Sequence, residues 1–467
     1  MPLDDTALAL ASLRDLGRLL RTGETTPSAL ARYYLDRLDT VGRRFNAVIT
    51  LTPERALREA RLAEDELAAG HDRGPLHGIP YGLKDLVATA KIPTTWGAVP
   101  FRDQVFAADA TIVTRLGAAG AVLVGKLAMV ELAGGMGYDQ PNASITGPGL
   151  SPWNAEAWSG GSSSGSGSAV GARAVPFAIG SETWGSITVP SSFCGVSGLR
   201  PTYGRVSRHG AMALCWTMDK LGPMCRSADD CGLVLDAIAG ADPADPTALT
   251  RPYHYAPATA RRAGFRLAVL PDATASCQPE VAANFVAALD ALRGVASIDE
   301  IALPDLPYEA VATTIVRAEA SSAFEDFVLA GGAAGLTAPE DRVIPLAYSA
   351  ISAREYLRAL RVRGLIARAV DAALTGYDAV IAPTTRTVAG PIAQPFSKSL
   401  RRAGGDALGA AGNVAGLPAV SVPNGFGERG LPTAIQFVGR AFAENRVLAV
   451  AAAYQRLSDW HLRLPPL

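Results

Sequence analysis

A serine- and glycine-rich segment and a separate lysine in this chain are suited to nucleophilic catalysis. Residues 159–201 read SGGSSSGSGSAVGARAVPFAIGSETWGSITVPSSFCGVSGLRP, where serines recur beside glycines that leave the backbone least restricted. A serine hydroxyl becomes nucleophilic when a base takes its proton, and nearby backbone N–H groups can stabilise a developing oxyanion. Because the tract runs into an apolar helix-and-strand pattern, it predicts a nucleophile ringed by N–H donors rather than a flexible linker.

A lysine that could act as the base lies in the segment YGLKDLV. Leu83 and Leu86 beside Lys84 predict a short buried strand. Burial disfavours the charged ammonium form and lowers the pKa of a lysine, which makes Lys84 a possible base near neutral pH. Asp85 would oppose this if the two side chains met, but neighbouring side chains on a strand point to opposite faces.

Other motifs in the chain are weaker. GSSSG places Ser163 at the centre of a GxSxG pattern, which indicates an α/β-hydrolase esterase only when a strand precedes it, and SPWNAEAWSG is a poor strand pattern. GAVLVGKL resembles a phosphate-binding loop, but Leu127 stands where a hydroxyl would bind magnesium. There is no HExxH pattern and no His/Cys cluster with ligand spacing, so we expect no metal and no cofactor.

Composition narrows the class of protein. The chain has 467 residues, 49% of them hydrophobic and 19% charged, which predicts a large interior. The net charge is −1 with no long basic run, so we expect no nucleic-acid partner. Five cysteines without a CxxC pair and an N-terminus with acids where a signal peptide has bases favour a cytoplasmic protein. No apolar run is long enough to predict a membrane span.

Strand and helix patterns alternate along the chain, which predicts a layered α/β fold. The segment 240–375 is a possible helical insertion or lobe within it. The predicted strands are 121–126, 265–271, 377–385, 417–425 and 431–440, and the predicted helices include 27–38, 53–70, 110–117, 279–293 and 444–456.

These motifs together resemble the amidase signature family. GPLHGIPYGLKDL, GGSSSGSGSAVGA and GSETWGSITVPSSFCGVSGLRPT resemble its three catalytic blocks, and YDAVIAPT, AGLPAVSVP and LPTAIQFVGR resemble its later blocks. The resemblance covers nearly the whole chain. It implies an α/β fold with a large central mixed β-sheet flanked by helices on both faces, and a single domain over residues 1–467.

The resemblance also implies roles for individual residues. The nucleophile falls on Ser186, the base on Lys84, and the relay serine with the family's cis peptide bond on Ser162, which lies 24 residues before the nucleophile. The oxyanion hole falls on the backbone N–H groups of Thr183, Trp184, Gly185 and Ser186. We expect the substrate pocket at Met136, Gly137, Tyr138 and Trp184.

Two departures from the family pattern surround the nucleophile. The family usually has a glycine pair before it, whereas this chain has Trp184-Gly185, and the indole could either line the pocket or pack in the core. Glu182 and Thr188 replace the family's Asp and Arg, which predicts the loss of an ion pair beside this turn.

The predicted function is a serine hydrolase that cleaves C–N bonds of amides with aryl or apolar groups through an acyl-enzyme. The spacing of Lys84, Ser162 and Ser186 is similar to that in amidase-type urethanases, so carbamates are a further expected substrate. The expected partner is a small-molecule amide or carbamate, without nucleic acid or membrane, and the expected state is a monomer or homodimer. The alternative is a glutamine-hydrolysing subunit of a tRNA-dependent amidotransferase. An esterase and a non-catalytic binding protein also remain open.

Overall fold

Strands and helices alternate in this computed structural model, which describes residues 5–135, 137, 139–256, 264–399 and 407–467. The strands are β1 (Val48–Leu51), β2 (Pro80–Lys84), β3 (Val122–Leu127), β4 (Leu150–Ser151), β5 (Asn154–Trp158), β6 (Phe177–Glu182), β7 (Ser197–Arg200), β8 (Lys220–Cys225), β9 (Phe265–Val269), β10 (Ala296–Glu300), β11 (Ala379–Pro383), β12 (Ala419–Phe426) and β13 (Pro432–Val438). The α-helices are α1 (Asp5–Leu10), α2 (Leu13–Arg21), α3 (Pro27–Arg37), α4 (Pro53–Ala68), α5 (Thr111–Ala118), α6 (Ser164–Gly171), α7 (Thr188–Cys194), α8 (Ala228–Ile238), α9 (Pro279–Leu292), α10 (Tyr308–Ala323), α11 (Glu325–Leu329), α12 (Ile344–Tyr348), α13 (Ala353–Ala373), α14 (Phe396–Ser399), α15 (Ala407–Val414) and α16 (Glu444–Leu457).

One large mixed sheet organises the fold. Eleven strands pair in the order β1-β3-β2-β6-β8-β7-β12-β13-β11-β9-β10, and β4 pairs with β5 separately. β2 runs parallel to both β3 and β6, whereas β8 runs antiparallel to β6 and β7. The predicted large mixed sheet is therefore confirmed.

Apolar side chains pack against both faces of the sheet. Successive residues on a strand point to opposite faces, so a strand buried on both sides contributes to two cores. On β3, Leu123 belongs to one cluster of buried apolar residues, whereas Val122 and Val124 belong to another. On β6, Phe177 and Ala178 divide in the same way. Helices cover these cores, so the predicted layered α/β architecture is also confirmed.

The Gly/Ser tract becomes the buried helix α6, which approaches the sheet very closely. A Cβ atom on Gly165 would lie 2.4 Å from the carbonyl oxygen of Ala47 and 2.5 Å from the nitrogen of Ala128. Only glycine fits there, because both neighbours are backbone atoms that cannot move aside cheaply. The close packing of α6 fixes the position of the serines that precede it.

The predicted strands of the C-terminal half are present as β9, β11, β12 and β13 with shorter bounds. SPWNAEAWSG, a poor strand pattern, nevertheless contains β5 and part of β4, which pair with each other outside the main sheet. Segment 240–375 contributes β9, β10 and the helices α9–α13, and its description as a lobe stays a prediction. Among the described residues, no helix combines the length and the apolar character needed to cross a membrane.

Candidate active site

Lys84 is the last residue of β2, and its side chain is fully buried. Its Nζ donates hydrogen bonds to the hydroxyl oxygens of Ser162, at 2.7 Å, and Ser181, at 2.9 Å. Asp85, the next residue, has other partners: its carboxylate lies 3.0 Å from the Nζ of Lys126 and accepts from the N–H of Thr95 at 2.8 Å. The amine of Lys84 is therefore hydrogen-bonded to two hydroxyl groups and not to the neighbouring carboxylate.

Burial shifts the protonation of this lysine. Removal from water lowers the pKa of Lys84 to about 7, although the negative charges of Asp219 and Glu182 act in the opposite direction. A charged amine loses its hydration in the interior, so the neutral form is favoured. An amine with a pKa near 7 is poised to accept a proton at neutral pH.

Ser162 joins this lysine to the Ser186 loop. The peptide bond between Gly161 and Ser162 is cis, as the family resemblance implies. The carbonyl oxygen of Ser162 accepts a hydrogen bond from the N–H of Val130 at 3.1 Å. The N–H of the following residue, Ser163, donates to the carbonyl oxygen of Ser186 at 3.3 Å. These contacts place the turn that carries Ser162 against the turn that carries Ser186.

In the loop 183–186 the N–H groups are free of partners among the described residues, while three of the four carbonyl groups accept hydrogen bonds. None of the N–H groups of Thr183, Trp184, Gly185 and Ser186 donates a hydrogen bond to another described residue. The carbonyl oxygens of Gly185 and Ser186 accept from backbone N–H groups, and that of Thr183 accepts from Lys220. Gly185 has a φ of 84°, a left-handed conformation that glycine adopts without steric cost. Such a run of free donors is the arrangement that binds an oxyanion.

Glu182 anchors the turn that follows this loop. One carboxylate oxygen accepts from the N–H groups of Ile187, at 2.9 Å, and Thr188, at 3.0 Å. The other accepts from Arg200 at 2.9 Å and from Asn413 at 3.0 Å. Burial alone would raise the pKa of Glu182, but the charge of Arg200 and the backbone donors lower it to about 2. The predicted loss of an ion pair is therefore wrong, because Arg200 supplies the cation from β7.

A cavity of about 270 Å³ adjoins the site. Ser181 and Thr183, on either side of Glu182, are among its lining residues. Leu86, from the segment that carries Lys84, and Lys220 and Leu221, from β8, also line it. Other lining residues come from segments that sequence motifs did not mark: Ala133, Arg208, Met212, Leu214, Trp216, Asp219 and Asp245.

Two members of the predicted substrate pocket, Met136 and Tyr138, lie outside the described residues. Neither Gly137 nor Trp184 is among the residues that line this cavity. The half-buried Trp184 packs instead against the main apolar core. The pocket at these four positions stays a prediction.

The hydroxyl of Ser163 is occupied by backbone groups. It donates to the carbonyl oxygen of Ser181 at 3.1 Å and accepts from the N–H of the same residue at 3.2 Å. A serine held in this way ties α6 to β6 and is not free to attack a substrate. The esterase alternative, which needs Ser163 as nucleophile, therefore has no support in this geometry.

Comparison with known proteins decides the family. The family model described as Amidase matches residues 29–448. This chain belongs to the amidase family. A curated relative, a Glutamyl-tRNA(Gln) amidotransferase subunit from Roseiflexus sp. (strain RS-1), is 40% identical over 489 residues and covers 99% of each chain.

Solved structures of amidase-family proteins have the same fold. The peptide amidase of Stenotrophomonas maltophilia superposes with a TM-score of 0.85 at 31% identity over 99% of each chain. A Glutamyl-tRNA(Gln) amidotransferase subunit from Thermotoga maritima superposes with a TM-score of 0.80 at 28% identity, over 98% of this chain and 96% of that one. The predicted family and fold are confirmed, and this chain is an amidase-type enzyme that acts on amide C–N bonds.

The predicted partners need correction. We expected only a small-molecule substrate, no nucleic acid and a monomer or homodimer, whereas the curated relatives are named as Glutamyl-tRNA(Gln) amidotransferase subunits. The net charge of −1 argued only against phosphate contacts made by this chain itself. The net charge of one chain says nothing about the other subunits of an enzyme such as those relatives form. The expectation about partners was therefore wrong.

Proposed function

We propose that this amidase-family chain hydrolyses amides through Ser186, with Ser162 as the proton relay and Lys84 as the base. The observation that carries the proposal is the 2.7 Å hydrogen bond from Lys84 to Ser162, next to a loop whose N–H groups have no acceptor in the described chain. A serine nucleophile needs a base for its proton and donors for the oxyanion. The hydrogen bond from Lys84 to Ser162 and the free N–H groups of the loop support these roles.

The reaction proceeds in two halves. Ser186 Oγ attacks the amide carbonyl carbon while its proton passes to Ser162, whose own proton passes to the neutral amine of Lys84. The N–H groups of the 183–186 loop stabilise the oxyanion, each by about 3–4 kcal/mol. The C–N bond breaks as the leaving nitrogen takes the proton back through Ser162. Water then attacks the acyl ester by the same path in reverse and releases the acid.

For the substrate, we infer that the amide is that of glutamine and that the ammonia passes to a partner subunit that modifies charged tRNA. The inference is supported by the amidotransferase subunit of Roseiflexus sp. (strain RS-1), which is 40% identical and aligns with 99% of this chain. Arg208 and Asp245 also line the cavity beside the site, where they form an ion pair with each other at 3.7 Å.

A second candidate substrate is an aryl or apolar amide, with the corresponding carbamate. One observation favours it: the cavity has a large apolar lining that includes Leu86, Met212, Leu214, Trp216 and Leu221. Such a lining stabilises an apolar group by removing its surface from water.

The nucleophile is tested with Ser186→Ala and its matched control Ser163→Ala. Initial rates are measured with glutamine, a p-nitroanilide and an aryl carbamate. We expect Ser186→Ala to lose at least about 1,000-fold in kcat, because the covalent path is removed. Ser163→Ala should keep activity within about tenfold, because its hydroxyl only bonds backbone. Full activity in Ser186→Ala would refute the proposed function.

The substrate is tested by measuring hydrolysis in two preparations. One is the purified chain alone, and the other is the chain purified from its native cells together with any proteins bound to it. Hydrolysis of glutamine that increases when the other subunits are present supports the amidotransferase. Rapid cleavage of the anilide or carbamate by the chain alone, with glutamine untouched in both preparations, supports the second candidate instead.

A further inference from the structure

Lysine is scarce in this chain and is placed unusually. Of five lysines, three are buried, namely Lys84, Lys126 and Lys220, whereas Lys91 and Lys398 are exposed. Lysine and arginine together number 43, so nearly all surface cations are arginines. A buried lysine therefore marks a place where a compact amine with rotatable donors is needed. Lys84 contacts Ser162 and Lys126 pairs with a carboxylate, which leaves Lys220 unexplained.

Lys220 lies directly beside the Ser186 loop. It is the first residue of β8, and it is opposite Glu182 in the register with β6. Its side chain is 2% exposed. The Nζ donates to the carbonyl oxygen of Thr183 at 3.3 Å and to that of Met218. Within the described residues Lys220 forms no ion pair, so its amine is committed to carbonyl groups.

The contact with Thr183 fixes a particular peptide unit. The carbonyl of Thr183 and the N–H of Trp184 belong to the same planar peptide, so they point in opposite directions. The carbonyl oxygens of Gly185 and Ser186 are held by backbone N–H groups. The Thr183–Trp184 peptide is instead held by a side chain, that of Lys220. The direction of the Trp184 N–H therefore depends on Lys220.

The residue before Lys220 restrains the same position from the other side. Asp219 accepts a hydrogen bond from the hydroxyl of Thr183 at 2.5 Å. Its second oxygen accepts from the N–H groups of Leu214, at 2.9 Å, and Cys215, at 2.8 Å. The dipeptide Asp219-Lys220 thus holds both the side chain and the carbonyl of Thr183, which is more than the packing of a loop requires.

We propose that Lys220 is a positioning residue of the oxyanion hole, which holds the Thr183 carbonyl and so directs the Trp184 N–H at the substrate's carbonyl oxygen. This inference rests on the proposed function of Ser186. Lys220 also lines the cavity, but its hydrogen bond to the Thr183 carbonyl acts on the geometry of a donor. Because protonated and neutral amines both carry N–H donors, the role does not depend on the charge of Lys220.

The test compares Lys220→Met, which removes the donors, with Lys220→Gln, which retains a donor, and with the exposed control Lys398→Met. The probe is an alkyl fluorophosphonate: Ser186 Oγ bonds to phosphorus, fluoride leaves, and the serine proton passes to Lys84 through Ser162. Because the phosphoryl oxygen occupies the oxyanion hole, the rate of labelling reports on its donors without requiring the natural substrate. The kcat and KM for the best amide and the thermal midpoint are measured beside it.

We expect Lys220→Met to lower both the labelling rate and kcat by 10- to 100-fold, with KM within threefold and no lower thermal midpoint. Lys220→Gln should retain at least a third of each rate, and Lys398→Met should match the wild type. Should Lys220→Met fail to fold, Lys220→Ala replaces it with the same expectations.

Unchanged rates in the folded donor-free variant would overturn the proposal, as would a loss confined to KM or an equal loss in Lys220→Gln. Labelling that persists in Ser186→Ala would instead refute the proposed function itself, so the two failures are distinguishable.

Discussion

The amine of Lys84 and the hydroxyl of Ser162 are joined by a 2.7 Å hydrogen bond across 78 residues of chain. The pairing of β2 with β6 explains how this comes about. These strands run parallel, with Gly82 opposite Ala178, so the end of β2 and the loop after β6 lie at the same edge of the sheet. A parallel pair needs a long connection, and that connection contains the Ser162 turn.

The first prediction concerns pH. The pKa of Lys84, lowered to about 7 by burial, means that the neutral base becomes populated as the pH rises through that value. We expect kcat/KM and the single-turnover acylation rate to rise between about pH 6 and pH 8. A flat single-turnover profile over this range would contradict the assignment of Lys84 as the base.

The second prediction concerns Ser181, which accepts a hydrogen bond from Lys84 at 2.9 Å. Ser181→Ala removes an acceptor that favours the ammonium form, so the pKa of Lys84 should fall further. The rising limb of the pH–rate profile should therefore move to lower pH than in the wild type. A shift to higher pH would show that the hydroxyl favours the neutral amine instead.

The third prediction concerns Glu182 and stability. Glu182→Gln leaves the buried guanidinium of Arg200 without its carboxylate, which should reduce the free energy of unfolding by about 3–5 kcal/mol. Denaturant unfolding at pH 7 measures this, with the exposed Glu54→Gln as control. Because the pKa of Glu182 is lowered from 4.5 to about 2, its contribution is full above pH 4.5 and is lost as the pH falls toward 2. Equal stability of both variants would contradict the prediction.

The fourth prediction concerns the loss of stability caused by burying the amine of Lys84. Lys84→Met should be inactive yet at least as stable as the wild type near neutral pH, because burying an amine that ionises in the unfolded chain is unfavourable. The unfolded chain holds the Lys84 proton up to an ordinary pKa of 10.5, whereas the folded chain releases it near 7. The stability of the wild type relative to Lys84→Met should therefore rise between these values. Thermal unfolding at several pH values checks this, and a constant difference would refute it.

Local sequence patterns were sufficient for part of the site. The glycines around the serine tract and the leucines around Lys84 determine the local conformation and burial of only a few neighbouring residues. A buried lysine and a tight serine turn could therefore be predicted. The contacts of Arg200 with Glu182 and of Lys220 with Thr183 depend on strand register between β6, β7 and β8, which no local pattern records. The cavity was missed because loops far apart in sequence line it. The likeness to subunits of a larger enzyme was missed because composition describes only one chain.

The burial of three of the five lysines has a practical consequence for chemical modification. Amine-reactive labels, cross-linkers and immobilisation resins should react at Lys91 and Lys398, while Lys84, Lys126 and Lys220 are shielded. The protein should therefore tolerate complete labelling of its two exposed lysines with little loss of activity. Acquired lysine reactivity would then be a direct report that the interior around the site has opened.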